Sequence, residues 1–312
     1  MDEGLPLSRV NRFGPSRTRT RRTAREVLER VMHGIFFVCG AAAVGFVVLI
    51  SVYLILSGLP AIREIGLTDF LLGREWASTA QDHPRFGILP FILTSVYGTL
   101  GAIVLGVPVG FLTALFLAKL APKRVAGAIR TAVELLAGIP SVVYGLIGMT
   151  VLVPAIRECF GLSSGATLLA AIIVLAVMIL PSIVSVAETA LKAVPKEYEE
   201  ASLALGATDI ETYLQVSTPA AASGIATAVV LGVGRAIGET MAIMMVAGNV
   251  ANMPGLFRSV RFLTTAIASE MAYAGVGSLQ RNALFSIALV LFVFIMLINV
   301  VLNVFLKRKK ED

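Results

Sequence analysis

Charge is what this sequence has least of. Only 15% of its 312 residues are Asp, Glu, Lys or Arg, against roughly a quarter in a soluble domain, which excludes a water-soluble globule. Histidine is scarce too: His33 and His83 stand in different regions, so no H-E-x-x-H pair and no histidine-centred hydrolytic site can be assembled. There is no G-x-S-x-G nucleophile turn. The G-x-x-x-x-G-K-[ST] loop is also missing, and with it the backbone cradle and lysine that hold nucleotide phosphates. The chain is therefore not expected to be an enzyme or to hydrolyse ATP itself. Its two cysteines, Cys39 and Cys159, fit neither a disulfide framework nor a zinc spacing and are expected as ordinary buried thiols. No metal site is read. Repeats of 20 to 50 residues are not visible, nor is inverted-repeat symmetry.

What the sequence has is apolar length. Hydrophobic residues make up 57% and the mean hydropathy is +0.86. A membrane helix needs roughly 20 apolar residues, because all its backbone polar groups must be satisfied within the segment. Six stretches meet this, at about 31–56, 88–118, 131–156, 166–190, 221–249 and 282–306. The expected fold class is all-α, a polytopic membrane protein with six transmembrane helices over residues 31–306, between a basic tail at 1–30 and a basic tail at 307–312.

The charges give this array a direction. Residues 1–30 carry eight arginines against four acids, a positive-inside signal that puts the N-terminus in the cytoplasm. Alternation then puts Lys119, Lys123, Arg124 and Arg130 inside, together with the tail Lys307-Arg308-Lys309-Lys310. Arg21-Arg22 resembles a twin-arginine signal, but about 26 apolar residues follow, too long for a signal core, so an uncleaved anchor is expected. The first 22 or so residues hold few large apolar groups and are expected to be disordered. A topology signal suffices to explain them, and no nucleic-acid partner is read.

The loop over 195–219 is cytoplasmic on this topology, yet acidic. It reads as two short helices broken at Gly206, with Leu203, Leu205, Ile210, Tyr213 and Leu214 forming apolar faces on either side. A solvated connector is the plain reading, but loops of this length with their own secondary structure usually have a job. Glu200-Ala201-Ser202, three residues, Gly206, nine residues, Val216, one residue, Thr218 and Pro219 resemble the EAA loop of bacterial ABC importer permeases, E-A-A-x3-G-x9-I-x-L-P. Glu200, Ala201, Gly206 and Pro219 match outright, while Ser202, Val216 and Thr218 depart. The resemblance implies a type I, MetI-like permease fold in the cytoplasmic membrane and a coupling loop docked in a groove of a separate ATPase chain. ATP and Mg would sit on that partner.

Residues 232–248 hold the charges deepest inside a span, Arg235 and Glu239. An arginine at mid-span costs roughly 2.5–3.5 kcal/mol on insertion scales, so it normally faces protein or water. On a continuous helix Glu239 at i+4 meets it, as an ion pair that pins the helix or as part of an oxyanion path. Gly232, Gly234 and Gly238 leave room for close helix approach or for a hydrated ion. Arg235-Ala236-x-Gly238-Glu239 resembles the oxyanion importers. The continuation Thr240-Met241-Ala242, with Phe86-Gly87-Ile88-Leu89-Pro90 and Gly138-Ile139-Pro140-Ser141, is similar to the phosphate-specific permeases, of the PstC type rather than its sister PstA.

That resemblance implies Arg235, Glu239 and Thr240 along the substrate path. It implies as partners a second, PstA-like permease, a PstB-like ATPase dimer, an extracytoplasmic PstS-like phosphate-binding protein and membrane lipid. A phosphate-sensing kinase system is a further implied partner. Arg258 and Arg261, in the outer loop, are candidate contacts for an anion or its binding protein, with a solvated loop as the plainer reading. Glu134 and Glu188 read as structural charges near the cytoplasmic face. Three alternatives stay open: another oxyanion such as sulfate, molybdate or phosphonate; a passive anion channel; and a sensor or scaffold.

Overall fold

The computed structural model describes residues 19–80 and 82–311, with side chains over 26–80 and 82–301. Of the 22 or so residues expected to be disordered, 1–18 lie outside the described residues, and 19–22 instead form the start of the first helix. In chain order the elements are α1 (Arg19–Ile65), α2 (Leu67–Leu72), β1 (Trp76–Ala77), β2 (Arg85–Phe86), α3 (Leu89–Leu115), α4 (Lys123–Gly138), α5 (Ser141–Ile147), α6 (Val153–Phe160), α7 (Leu168–Lys192) and α8 (Lys196–Ala204). Then come α9 (Asp209–Thr212), α10 (Thr218–Ala220), α11 (Ala222–Gly238), α12 (Met241–Val246), α13 (Leu263–Glu270) and α14 (Leu279–Glu311). Single π-helical turns occupy Phe116–Leu120, Gly148–Leu152 and Tyr213–Ser217. The fold is all-α apart from the short antiparallel β1–β2 pair, in which Trp76 opposes Phe86.

Five stretches are long and apolar enough to cross a membrane: Glu26–Ile65, Leu89–Leu120, Ser141–Phe160, Leu168–Lys192 and Leu279–Val301. α11 qualifies together with Asp209–Ala220, from which it is bent by 73°. A segment at that angle to a crossing runs nearer the membrane plane than its normal. Counted as one bent span, the pair brings the candidate crossings among the described residues to six, with α11 as its apolar arm and 209–220 continuing the loop.

Two expected spans differ from the continuous helices read from the sequence. The stretch 131–156 breaks at Ile139-Pro140, with α4 ending at Gly138 and α5 starting at Ser141. Pro140 lacks an N–H and pushes Ile139 to extended backbone, ψ 126°. The stretch 221–249 breaks after Gly238, where Glu239 is extended at φ −69°, ψ 132°. Pro181, by contrast, lies inside α7 without ending it.

The chain divides at Tyr53 into two compact units. In the first, residues 26–50 of α1 are exposed on every side, an apolar surface suited to lipid. In the second, α7 is the central helix, carrying buried Leu175, Met178, Ile179 and Ile183. A Cβ at Gly106 would lie 2.7 Å from Ile179 and one at Gly110 2.8 Å from Ile183, so α3 runs parallel to α7 in near contact. α11 runs antiparallel to it, with Gly224 against Ala190 and Gly232 against Ile183. A separate cluster of Phe70, Phe86, Ile88, Phe91, Leu284 and Ile287 closes the β1–β2 end. Cys39 and Cys159 are free and exposed rather than buried: Cys39 lies in the stretch of α1 that is exposed on every side, and Cys159 in the exposed last turn of α6.

Candidate functional site

Arg235 falls in the last turn of α11, where a cation opposes the negative end of the helix dipole. It is half-buried and has no ion pair or hydrogen bond among the described residues. The pairing with Glu239 expected from their i+4 spacing does not form, because the helix ends between them. The Glu239 carboxylate instead accepts the Ala242 N–H at 3.0 Å, which occupies an orphan donor at the start of α12. Its carbonyl accepts the Thr264 hydroxyl at 3.0 Å. Thr240 Oγ1 turns back to the Gly238 carbonyl at 3.4 Å.

The glycines around this break divide by role. A Cβ at Gly145 of α5 would lie 2.9 Å from Ala242 Cα and one at Gly148 2.7 Å from Val246, so these two admit α12 against α5. Gly234 and Gly238 have nothing within 4 Å of a Cβ. Together with exposed Leu231 and Met241 they leave Arg235 beside open space. The Tyr144 hydroxyl of α5 donates to the Leu136 carbonyl at 2.7 Å. A guanidinium with uncommitted donors next to an opening can receive the oxygens of a tetrahedral anion.

The loop after α7 is built as two short helices around Gly206, whose φ of +91° is a conformation that L side chains rarely adopt. α9 is opened by a capping box: Thr208 Oγ1 accepts the Glu211 N–H, and Glu211 accepts the Thr208 N–H at 2.9 Å. Glu200, Ala201 and Pro219 are exposed. So are Tyr198, Leu203, Ile210 and Leu214, and Leu205 is 91% exposed. Tyr213 alone of the expected apolar face packs inward, against the Leu191 and Val194 cluster. The result is an apolar ridge on both sides of Gly206 that none of the described residues covers.

The two outer-loop arginines separate. Arg261 is mostly buried: Nε and Nη2 donate to the Asn249 carbonyl at 3.1 and 2.8 Å, and Nη1 pairs with Glu270. The same carboxylate accepts Trp76 Nε1 at 3.0 Å and Ser78 Oγ at 2.9 Å. Arg261 thus serves as an internal tie, each of its three nitrogens holding a partner within the chain. Arg258 is exposed and its side chain has no ion pair among the described residues. Glu188 is buried between Arg130, at 2.6 Å, and Lys192. These three and Glu134 line a cavity of about 240 Å³.

Residues 106–311 match the family described as the binding-protein-dependent transport system inner membrane component. The chain belongs to this family. It is 41% identical over 268 residues to a probable ABC transporter permease, YqgH, of Bacillus subtilis, covering 84% of this chain and 86% of that one. It is 33% identical to the phosphate transport system permease PstC of Haemophilus influenzae, over 84% and 88% of the two chains. The PstC 2 protein of Mycobacterium tuberculosis is 31% identical over 83% and 86%. Among solved structures, the inward-facing methionine ABC transporter MetNI superposes with a TM-score of 0.55 at 21% identity, covering 71% of this chain and 95% of its own. A bacterial alginate ABC transporter in complex with an alginate pentasaccharide-bound periplasmic protein gives 0.57 at 16%, covering 89% and 94%. These two show the fold, that of an ABC importer permease.

As an inner membrane component of this family, the chain is a multi-pass protein of the cytoplasmic membrane and a transport subunit rather than an enzyme. Sequence reasoning missed the partners that organise its polar groups. Glu199 pairs with Lys119 eighty positions away, and Glu270 gathers Trp76, Ser78 and Arg261. No local motif announces either cluster.

Proposed function

We propose that this chain is the PstC-like half of a two-permease ABC importer pore for inorganic phosphate. The observation that carries the reading is Arg235, a half-buried guanidinium with free donors at a helix break inside the membrane. Relatives named PstC, similar over most of their length, support phosphate as the anion. Thr240 and Glu239 frame the break, with Glu239 holding its shape through the α12 cap. The complex contains a PstA-like second permease, a PstB-like ATPase dimer carrying ATP and Mg, and a PstS-like phosphate-binding protein. The termini and the 195–219 loop face the cytoplasm, where the ridge around Glu200, Ala201, Gly206 and Pro219 docks on the ATPase. Closure of the ATPase dimer then switches access to Arg235 between the two sides of the membrane, and weak binding there lets the anion leave.

Radiolabelled phosphate uptake by the full complex tests this. Arg235→Gln is expected to keep assembly and ATP hydrolysis while losing uptake. Undiminished uptake by that variant removes Arg235 from the path. Wild-type uptake of sulfate or molybdate in place of phosphate keeps the machine and changes its substrate.

A further inference from the structure

One carboxylate oxygen holds two spans to the loop. Glu199, on α8, accepts both Lys119 Nζ and Ser217 Oγ at Oε1, the latter at 2.8 Å. Lys119 belongs to the π-helical turn Phe116–Leu120 that ends the α3 crossing. Ser217 closes the π-helical turn Tyr213–Ser217 that leads through α10 into α11. π-turns interrupt regular helices and occur mostly at functional positions. Here two of them converge on the same atom. The ion pair is shielded, with side-chain exposures of 10% for Lys119 and 16% for Glu199, and Ser217 is fully buried.

The rest of α8 has no comparable hold on the membrane helices. Lys196, Glu197 and Glu200 are exposed and have no ion pair among the described residues. Ser202 meets Thr212 at 2.9 Å, but that contact stays inside the loop. α3 and α11 both pack on α7, so a shift of α8 that moves Lys119 and Ser217 together displaces two helices of the same bundle. A salt bridge this dry resists being pulled apart, because either charge alone would be left poorly solvated.

We propose that Glu199 is a positioning residue that transmits movement of α8 to the α3 and α11 spans through Lys119 and Ser217. This rests on the reading of the loop as the element that meets the ATPase. It adds which side chain carries the motion onward, and it is distinct from the exposed Glu200 of the motif.

The experiment uses the complete transporter in proteoliposomes and reads anion imported per ATP hydrolysed, with co-purification of the ATPase as the assembly control. Glu199→Gln keeps the hydrogen-bonding shape and removes the charge. Ser217→Ala removes one bond and spares the ion pair. Lys119→Glu combined with Glu199→Lys reverses the pair. Both single variants are expected to stay assembled and to hydrolyse ATP, with import per ATP lowered by about fivefold or more in Glu199→Gln, the lower end of coupling between sites, and less in Ser217→Ala. The reversed pair is expected to recover much of the ratio, and Glu197→Gln to leave it unchanged. An unchanged ratio in Glu199→Gln overturns the proposal. Loss of the ATPase from both single variants also overturns it, since Glu199 then only maintains the loop fold. A wild-type complex that carries sulfate instead of phosphate alters the substrate assignment alone, and the ratio is read with sulfate.

Discussion

Arg235 and Glu239, four residues apart, lie on opposite sides of a helix end, and the glutamate binds the Ala242 N–H rather than the guanidinium. The arginine keeps its donors because the carboxylate that would have quenched them is spent on the next helix. This arrangement separates two roles that a continuous helix would have fused, and it makes their variants behave differently.

Glu239→Gln retains an oxygen able to accept the Ala242 N–H, whereas Glu239→Ala leaves that donor unpaired. Loss of a helix cap costs about 0.5–2 kcal/mol. The alanine variant is therefore expected to lower the thermal midpoint of the purified complex while the glutamine variant stays near wild type. Equal midpoints for the two variants would show that the cap carries no weight.

Two glycines near the break offer a matched test. Valine at Gly145 must push Met245 and the α12 backbone aside, since a Cβ there already meets Met245 Sδ at 2.7 Å. Overpacking of that kind costs about 1–3 kcal/mol. Gly234→Ala meets nothing within 4 Å and, since alanine in a helix interior is favoured over glycine by about 0.5–1 kcal/mol, is expected to be at least as stable as wild type. Thermal unfolding in detergent compares the two, and a reversed order would contradict the packing of α12 on α5.

Much of this fold is legible in the sequence, because lipid imposes a simple rule: apolar runs of span length become helices. Five crossings and the bent candidate for a sixth follow from it, and Gly206, at φ +91°, marks the break in the loop. The breaks inside spans are less plain: Pro140 marks the first, by its missing N–H and its restriction of Ile139, whereas the end of α11 before Glu239 carries no such local signal and coincides with the packing of α12 against α5. The i+4 rule that joined Arg235 to Glu239 presumes a continuous helix, and failed where the helix stopped. The partners of Arg261, the Asn249 carbonyl and Glu270, were illegible for a related reason: tertiary folding of the loop brings them to it.

The Arg261 tie predicts a contrast between two arginines three positions apart. Glu270→Ala leaves a mostly buried guanidinium without its counter-charge, and breaking a buried pair in this way costs about 3 kcal/mol. Trp76 and Ser78 lose their acceptor at the same time. Arg258→Ala removes an exposed, unpaired side chain and is expected to stay within about 0.5 kcal/mol of wild type. Chemical unfolding of the two variants side by side checks this, and comparable losses would mean that Arg258 has a partner in the assembled complex.

The loop carries its own pH dependence. The Thr208 backbone N–H, and then its hydroxyl, donate to Glu211 and hold its carboxyl below the ordinary glutamate value. A depressed folded value means that the stabilisation is fully present above the ordinary value of about 4.3 and is lost as pH falls through the lower folded one. Protection of the α9 amides against hydrogen exchange is expected to follow that course. In Thr208→Val the hydroxyl is gone and the backbone N–H remains, so the midpoint of the loss moves part of the way back up toward 4.3. Glu211→Gln removes the titration altogether. A loss of protection in Glu211→Gln that still tracks pH across this range would assign the effect to Asp209 or another neighbouring acid, and the capping box would then be a static feature of the loop.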